Sequence, residues 1–228
     1  MIETRAYHGL DFTIARNGCG RICYVLLPEG LHSDGLKMME ACALKYSCNI
    51  VLITGMDWNR DLTPWPAPGV FKKEKPFEGK AGDFLKELLT DYFPGIESIL
   101  GLNHPERYLV GISLSGLFAI WTLFQTDVFR GIASISGSLW YDGFVEWVQA
   151  HELKNGTVAV HLSLGDREKN SKNPRMSQVE DATATVAHML SERGCSVNLR
   201  MVPGTHFSPV TPRLEMAFDA ILTSPQIQ

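Results

Sequence analysis

The segment Val110–Leu117, which reads VGISLSGL, decides the interpretation of this chain because it joins two different patterns. Residues 107–112 form a short apolar run typical of a buried strand, and an almost wholly apolar run of helical length follows the segment. A serine held in a sharp strand-to-helix turn requires small residues two positions before and two positions after it. Gly111 and Ser115 meet this requirement around Ser113. Ser113 is therefore a candidate nucleophile at the start of a buried helix.

Strand and helix patterns alternate along the rest of the chain. Short apolar runs predict six strands, at 21–27, 49–54, 107–112, 131–135, 158–164 and 197–202. Helical spacing predicts five helices, at 33–46, 80–92, 115–125, 176–193 and 214–222. Continuously apolar strands suit a parallel sheet covered on both faces, so the pattern predicts an α/β fold with a mostly parallel central sheet and helices on both faces. We expect a single domain over 1–228 with little or no lid, and an antiparallel pair of edge strands within the first twenty residues.

Composition narrows the classes of function. The 228 residues are 45% hydrophobic and 20% charged, as in ordinary globular proteins, and the net charge of −4 provides no basic stripe for nucleic acid. Residues 108–126 carry no charge, but their glycines and serines favour a strand and a helix over a membrane span. The Cys19–Cys23 spacing lacks a second pair of ligands, so we expect no metal site. The absence of a targeting pattern and the odd cysteine count, five, favour a cytoplasmic protein without disulfides.

A serine nucleophile needs a base and an acid, which follow it in the order serine, acid, histidine in the fold that such a turn requires. Of the seven histidines, His206 follows the last predicted strand in the loop 203–207, where the base is expected to lie. The acid is expected in the loop 164–170, after the preceding strand. That loop offers Asp166 and Glu168, and the spacing alone leaves the choice open.

Backbone N–H groups are expected to stabilise negative charge that develops on a substrate oxygen. The N–H of Leu114 is the first candidate donor, because it directly follows the nucleophile. The second is expected in the loop after the first core strand, near Gly30, since Pro28 has no N–H to donate.

Aromatic and charged residues in the long loops are candidates for substrate binding. The irregular region 55–79 is too long for an ordinary connection, and both it and the segment 136–142 leave the carboxyl end of a predicted strand. Packing of the tryptophans on the sheet edge, and pairing of the arginine with a neighbouring aspartate, are the structural alternatives. The candidates in these loops are Trp58, Arg60, Asp61, Trp65 and Trp140.

These motifs together resemble the putative esterase family of α/β hydrolases, which includes esterase D and ferric enterobactin esterase. The resemblance runs from about residue 24 to the last helix, and its specific parts are GISLSG at 111–116, SGSLW at 136–140 and PGTH at 203–206. The segment RDLTP at 60–64 is similar to a motif of the enterobactin-esterase branch. The resemblance implies an α/β-hydrolase fold, and it places the acid three residues after Gly165. It therefore favours Glu168, with Asp166 as the alternative.

The implied activity is hydrolysis of carboxylic esters through a serine–histidine–acid mechanism with an acyl-enzyme intermediate. The expected partner is a small-molecule substrate: an ester of a small acyl group, a carbohydrate ester or a siderophore ester. No metal or organic cofactor is expected. Acyl transfer to an alcohol acceptor and a catalytically inactive binding protein with the same fold are the alternatives. Neither the natural ester nor assembly into a homo-oligomer follows from the sequence.

Overall fold

A central β-sheet organises the computed structural model, which describes residues 2–71, 75–154 and 156–223. Ten strands are assigned in that part of the chain. They are β1 (Ile2–Tyr7), β2 (Leu10–Ala15), β3 (Arg21–Leu26), β4 (Asn49–Thr54), β5 (Pro66–Ala67), β6 (Phe77–Glu78), β7 (Glu106–Ile112), β8 (Phe129–Ile135), β9 (Ala159–Gly165) and β10 (Ser196–Val202).

Eight of these strands form one sheet in the order β1-β2-β4-β3-β7-β8-β9-β10. β1 pairs with β2 and β2 with β4 in antiparallel fashion, and every other neighbouring pair is parallel. All six strands predicted from the apolar runs are present, and the antiparallel edge pair is confirmed. Because the carboxyl ends of parallel strands meet at one edge, the loops after β3, β7, β8, β9 and β10 lie along the same edge.

The helices lie between the strands as α/β alternation requires. They are α1 (Ser33–Lys45), α2 (Trp58–Asp61), α3 (Ala81–Glu87), α4 (Phe93–Leu100), α5 (Leu114–Thr122), α6 (Phe144–Ala150), α7 (Val179–Glu192) and α8 (Thr211–Leu222). Among the described residues, no helix has the length and apolarity that a membrane crossing requires.

The predicted helix at 80–92 is wrong in extent, because the helical path continues through α4. A wide turn, Leu88–Tyr92, joins α3 to α4, and Pro94 lies in the first turn of α4. Proline is tolerated there, since a first-turn residue needs no hydrogen-bonded N–H. The path ends at Gly101, which has a φ of 70°. The structure also places α2 and the β5–β6 hairpin within the region 55–79, which the sequence indicated only as an irregular loop.

The core has two layers, one on each face of the sheet. One layer is built around α1 and α8, and the other around α3, α4, α5, α6 and α7. Helices on both faces were expected from the continuously apolar strands, and they are confirmed. Covering both faces buries β7 and α5 and so fixes the turn between them at the carboxyl edge.

Candidate active site

Ser113 occupies the tight turn between β7 and α5. Its backbone has φ 56° and ψ −120°, a region that a residue with a side chain rarely adopts. Three backbone hydrogen bonds hold it there: its N–H donates to Ile135 O (3.0 Å), and its carbonyl accepts from Leu117 N (3.0 Å) and Ser138 N (2.9 Å). Strained backbone of this kind persists only where the surrounding structure fixes it, and it is concentrated at functional sites.

The small residues on either side of Ser113 have distinct roles. A Cβ on Gly111 would lie 2.0 Å from the carbonyl oxygen of Ser115, so only glycine fits at this close approach. Ser115 is fully buried, and its hydroxyl accepts from Ile112 N (2.7 Å) and lies 2.7 Å from Leu26 O as a donor. The Ser115 side chain therefore ties the turn to the end of β3.

A chain of hydrogen bonds links three side chains that are far apart in sequence. His206 Nε2 lies 3.1 Å from Ser113 Oγ, and His206 Nδ1 lies 2.9 Å from Glu168 Oε2. Ser113 follows β7, Glu168 follows β9 and His206 follows β10, so each side chain comes from the carboxyl edge of the sheet. In this geometry, His206 can accept the hydroxyl proton of Ser113 while Glu168 fixes the tautomer and orientation of the ring.

Glu168 is buried and ionised. It begins a short 3₁₀ turn, Glu168–Asn170, which brings its Oε1 within 2.8 Å of the N–H of Gly165. The hydroxyl of Ser136 also donates to Oε1. Burial by itself raises the pKa of Glu168, but the hydrogen bonds from His206, Ser136 and Gly165 N outweigh that effect and hold the pKa below its ordinary value.

Asp166, the other candidate acid, has a different environment. Its side chain is 54% exposed, and Oδ1 accepts from the backbone N–H of Gly204 (3.0 Å). Arg167 Nε lies 3.9 Å from the same oxygen. Asp166 therefore fastens the loop that precedes His206, while Glu168 accepts the hydrogen bond from the imidazole.

Sequence reasoning missed one polar residue behind Glu168, Arg213, and it quoted two nearby serines, Ser136 and Ser138, only as part of a motif. Arg213, in the first turn of α8, is 4% exposed, and its Nη2 donates to Ser136 Oγ and lies 3.6 Å from Glu168 Oε1. Ser138 Oγ lies 3.4 Å from Ser113 Oγ. The SGSLW motif contains both serines, but an arginine at a helix start gives no sequence signal of burial, because such residues are mostly exposed.

The two predicted backbone donors are at different places around the turn, because Leu114 directly follows Ser113 and Gly30 lines a neighbouring cleft. Leu114 is the first residue of α5, so its N–H has no partner within the helix and points toward the helix start. Gly30 follows β3, and it lines a cleft together with Ile112, the residue before Ser113. The two positions suit donors to an oxyanion, a role that stays a prediction for each.

A comparison with known protein families identifies the relationship. The model of a family described as putative esterase matches residues 36–209, a range that contains Ser113, Glu168 and His206. The chain belongs to the putative esterase family. This membership supports hydrolysis of carboxylic esters as the class of activity.

Known proteins similar to this esterase-family chain include both curated and solved examples. The uncharacterized protein YbbA of Bacillus subtilis is 27% identical over 177 residues, 75% of this chain and 71% of that protein. The structure of an IroE-like serine hydrolase from Shewanella oneidensis matches with a TM-score of 0.76 at 20% identity, covering 97% of this chain and 78% of that one. The siderophore hydrolase EstA from Aspergillus nidulans matches with a TM-score of 0.74 at 17% identity, covering 98% and 95%. These structural similarities establish the α/β-hydrolase fold.

Two clefts of this family member meet at Phe207, and His206 lines the first of them. The Trp140 cleft, of about 280 Å³, is lined by Trp140, Arg167, Glu168, Asn170, Ser171, Met176, Val179, Thr205, His206 and Phe207. The Gly30 cleft, of about 410 Å³, runs between the loop 27–32 and the segment 207–211 and ends at Ile112. Phe207 lines both clefts and is 90% exposed. The first cleft carries a cation, Arg167, and the second is mostly apolar with acidic residues at its rim.

The other predicted substrate contacts of this esterase-family chain have structural partners of their own. The Trp65 indole donates to Asp142 O (2.9 Å). Arg60 pairs with Asp61 (2.7 Å), as the structural alternative anticipated, and Trp58 packs against the larger core layer. Neither the Trp140 cleft nor the Gly30 cleft is lined by these four residues. Of the five candidates, the structure brings Trp140 beside His206.

Proposed function

We propose that this chain is a serine esterase that hydrolyses carboxylic esters through an acyl-enzyme intermediate. The observation that carries the proposal is the continuous hydrogen-bond chain from Glu168 through His206 to Ser113 at the carboxyl edge of the sheet. Family membership supports the same class of activity.

The proposed reaction has two steps at Ser113. His206 Nε2 takes the proton of the Ser113 hydroxyl while Oγ attacks the carbonyl carbon of the ester, and the N–H of Leu114 with a second donor near Gly30 stabilises the oxyanion. Protonated His206 then gives its proton to the leaving alcohol. A water molecule, deprotonated by His206, then attacks the acyl-enzyme. His206 returns that proton to Ser113 Oγ as the acyl–oxygen bond breaks and the acid is released.

The two clefts support, as substrates, esters whose acyl and alcohol parts differ in polarity. The Gly30 cleft suits an apolar group, and the Trp140 cleft suits an aromatic or anionic group that can contact Trp140 and Arg167. Small acyl esters provide an apolar group for the Gly30 cleft, and carbohydrate esters and siderophore esters are the other proposed substrate classes. Siderophore esters gain support because EstA, a protein of the same fold, is named a siderophore hydrolase.

The test compares wild type, Ser113→Ala and Ser191→Ala on p-nitrophenyl acetate and butyrate. Ser191 is an exposed serine of α7, so its variant controls for the substitution itself. We expect Ser113→Ala to lose at least about a thousandfold in kcat and the control to match wild type. Full turnover by Ser113→Ala would contradict the proposed mechanism.

Two further measurements decide between the alternatives. A fluorophosphonate probe should label wild type and not Ser113→Ala, whereas no labelling of wild type would indicate a catalytically inactive binding protein. Product analysis with added alcohols should show mostly free acid, and predominant formation of a new ester would indicate an acyltransferase. A positive result justifies a screen of siderophore lactones and carbohydrate esters.

A further inference from the structure

A buried positive charge lies behind the proposed catalytic acid. Arg213 is 4% exposed, and of its three guanidinium nitrogens, Nη2 is the one that contacts Ser136 and lies 3.6 Å from Glu168. Its Nε and Nη1 are buried with no hydrogen-bond partner among the described residues. Burial lowers the pKa of Arg213 and Glu168 opposes that effect, yet a guanidinium stays charged throughout the working range of an enzyme. An apolar side chain would fill this space at a smaller desolvation cost, so packing alone does not explain an arginine here.

The hydrogen bonds around Ser136 have a fixed direction. A guanidinium can only donate, so Ser136 Oγ accepts from Arg213 and must give its own single proton to Glu168 Oε1. The N–H of Gly165 also donates to Oε1. Oε1 is thereby occupied, and Oε2 faces His206 Nδ1 at 2.9 Å.

We infer that Arg213 is a positioning residue of the active site: through Ser136 it fixes Glu168 with one oxygen toward His206, and its charge offsets part of the carboxylate's attraction for a proton on His206. The inference rests on the proposed function, because it assigns a role relative to the proposed acid and base. It goes beyond that function by naming a third charge, contributed by α8, that sets the pH range of activity.

The sign of the charge effect follows from the order of the three groups. Protonation of His206 places a positive charge beside Glu168, whose negative charge Arg213 already offsets in part. Without Arg213, the whole attraction of the carboxylate acts on His206, and the imidazole holds its proton to a higher pH. Such interactions are strong in a buried site, where the effective dielectric constant is far below that of water.

Other charged or titratable groups lie in the loops and clefts around His206 and Phe207, at exposed positions. On the loop after β9, the side chains of Asp166 and Arg167 are 54% and 65% exposed. The groups that line the Gly30 cleft are exposed as well. Salt screens exposed charges more strongly than buried ones, so a profile recorded at high ionic strength isolates the effect of Arg213. The exposed groups are Asp166, Arg167, Glu29, His32 and Asp34.

The first test measures kcat/KM against pH, from about pH 5 to about pH 9, for wild type, Arg213→Met and Arg213→Lys. We expect the acid limb of Arg213→Met to move to higher pH by about half a unit or more. Arg213→Lys keeps a cation, so its acid limb should move less than that of the methionine variant. A folded Arg213→Met with an unmoved acid limb would show that Arg213 is only structural and would overturn the inference.

A second pair of variants tests the positioning step and does not require Arg213 to be replaced. Ser136→Ala removes the donor to Glu168, and we expect kcat to fall by at least about tenfold while KM changes little. Ser134→Ala is the matched control, because Ser134 is equally buried on β8 and its hydroxyl has no hydrogen-bond partner among the described residues. Equal kcat values for the two variants would contradict the positioning of Glu168 through Ser136.

A third measurement separates this inference from the proposed function. The imidazole signals of His206 are titrated by NMR in wild type and in Arg213→Met, without any substrate. A higher titration midpoint in the variant supports the inference even if no ester is hydrolysed, in which case only the proposed function fails. An unchanged midpoint overturns the inference whatever the activity.

Discussion

At the scale of single residues, two carboxylates two positions apart have opposite environments. The 3₁₀ turn that begins at Glu168 folds its side chain back over Gly165 and into the protein, where Ser136 and His206 meet it. Asp166 lies two residues earlier, is half-exposed, and accepts a backbone N–H from the loop that carries the histidine. Local backbone direction, and not the type of side chain, therefore decides which carboxylate reaches the imidazole.

The pair Glu168→Gln and Asp166→Asn tests this assignment. Glu168→Gln keeps the size of the side chain but removes the charge that stabilises a protonated His206, so we expect kcat to fall by about two to four orders of magnitude. Asp166→Asn keeps an acceptor for Gly204 N, and we expect activity within about threefold of wild type. Steady-state kinetics on one ester decides the matter, and the reverse ranking would make Asp166 the acid.

At the scale of elements, the junction of β7 and α5 depends on close backbone contact. The Gly111→Ala variant forces a Cβ to 2.0 Å from a backbone oxygen that cannot move independently. We expect this variant to lose about 3 kcal/mol or more of unfolding free energy, at the upper end of overpacking costs.

The matched control for the junction is Gly82→Ala in α3. A Cβ on Gly82 meets nothing within 4 Å, and alanine has the higher helix propensity. We expect Gly82→Ala to gain up to about 1 kcal/mol. Urea unfolding curves measure both changes in unfolding free energy. A Gly111→Ala variant as stable as wild type would mean that the turn relaxes more than its packing suggests.

The loop after β10 presents an apolar side chain to both clefts. Phe207 is 90% exposed, so truncating it leaves no cavity, and the Phe207→Ala variant should unfold like wild type. We expect KM for the butyrate ester to rise by about threefold or more, and kcat to change little, because the variant removes contact area beside the bound ester.

Leu44→Ala provides the comparison for Phe207→Ala. Leu44 is 67% exposed on α1, and it lines neither the Trp140 cleft nor the Gly30 cleft. Its kinetics should match wild type on both esters. Equal KM values for the two variants would show that Phe207 does not contact the substrate.

At the scale of the whole molecule, the ionised Glu168 links acid stability to the active site. Its native pKa lies below the ordinary 4.5 of the unfolded chain. A depressed carboxyl pKa stabilises the fold fully above the unfolded value, and this stabilisation is lost as the pH falls through the native value. Arg213 strengthens the effect, because protonation of Glu168 leaves a buried cation without its partner.

Urea unfolding of wild type and Glu168→Gln at about pH 7 and about pH 3 tests this linkage. At neutral pH the variant should be less stable, since its Arg213 already lacks a negative partner. Below the unfolded pKa the stabilisation that ionised Glu168 gives to wild type is progressively lost, so the difference should shrink in acid. A difference that stays constant across this range would mean that Glu168 does not titrate with folding.

Sequence by itself determined the eight strands of the main sheet, most of the helices and the fold class, and it identified Ser113 and His206 as candidates. These features depend on local signals: apolar runs of strand length, helical spacing, and small residues around a serine in a strand-to-helix turn. Local patterns missed the extension through α4, because a wide turn carries the helix past a proline.

Only the tertiary structure decided which side chains meet. Glu168 and Asp166 are equivalent in spacing, and the hydrogen bond to His206 distinguishes them. The burial of Arg213 arises because α8 packs its first turn against the carboxyl ends of β8 and β9, which are distant in the chain. Tertiary packing likewise left Trp140 beside His206 and gave the other loop candidates partners outside both clefts. The physical reason is that strand order, and not sequence distance, sets which loops share an edge of the sheet.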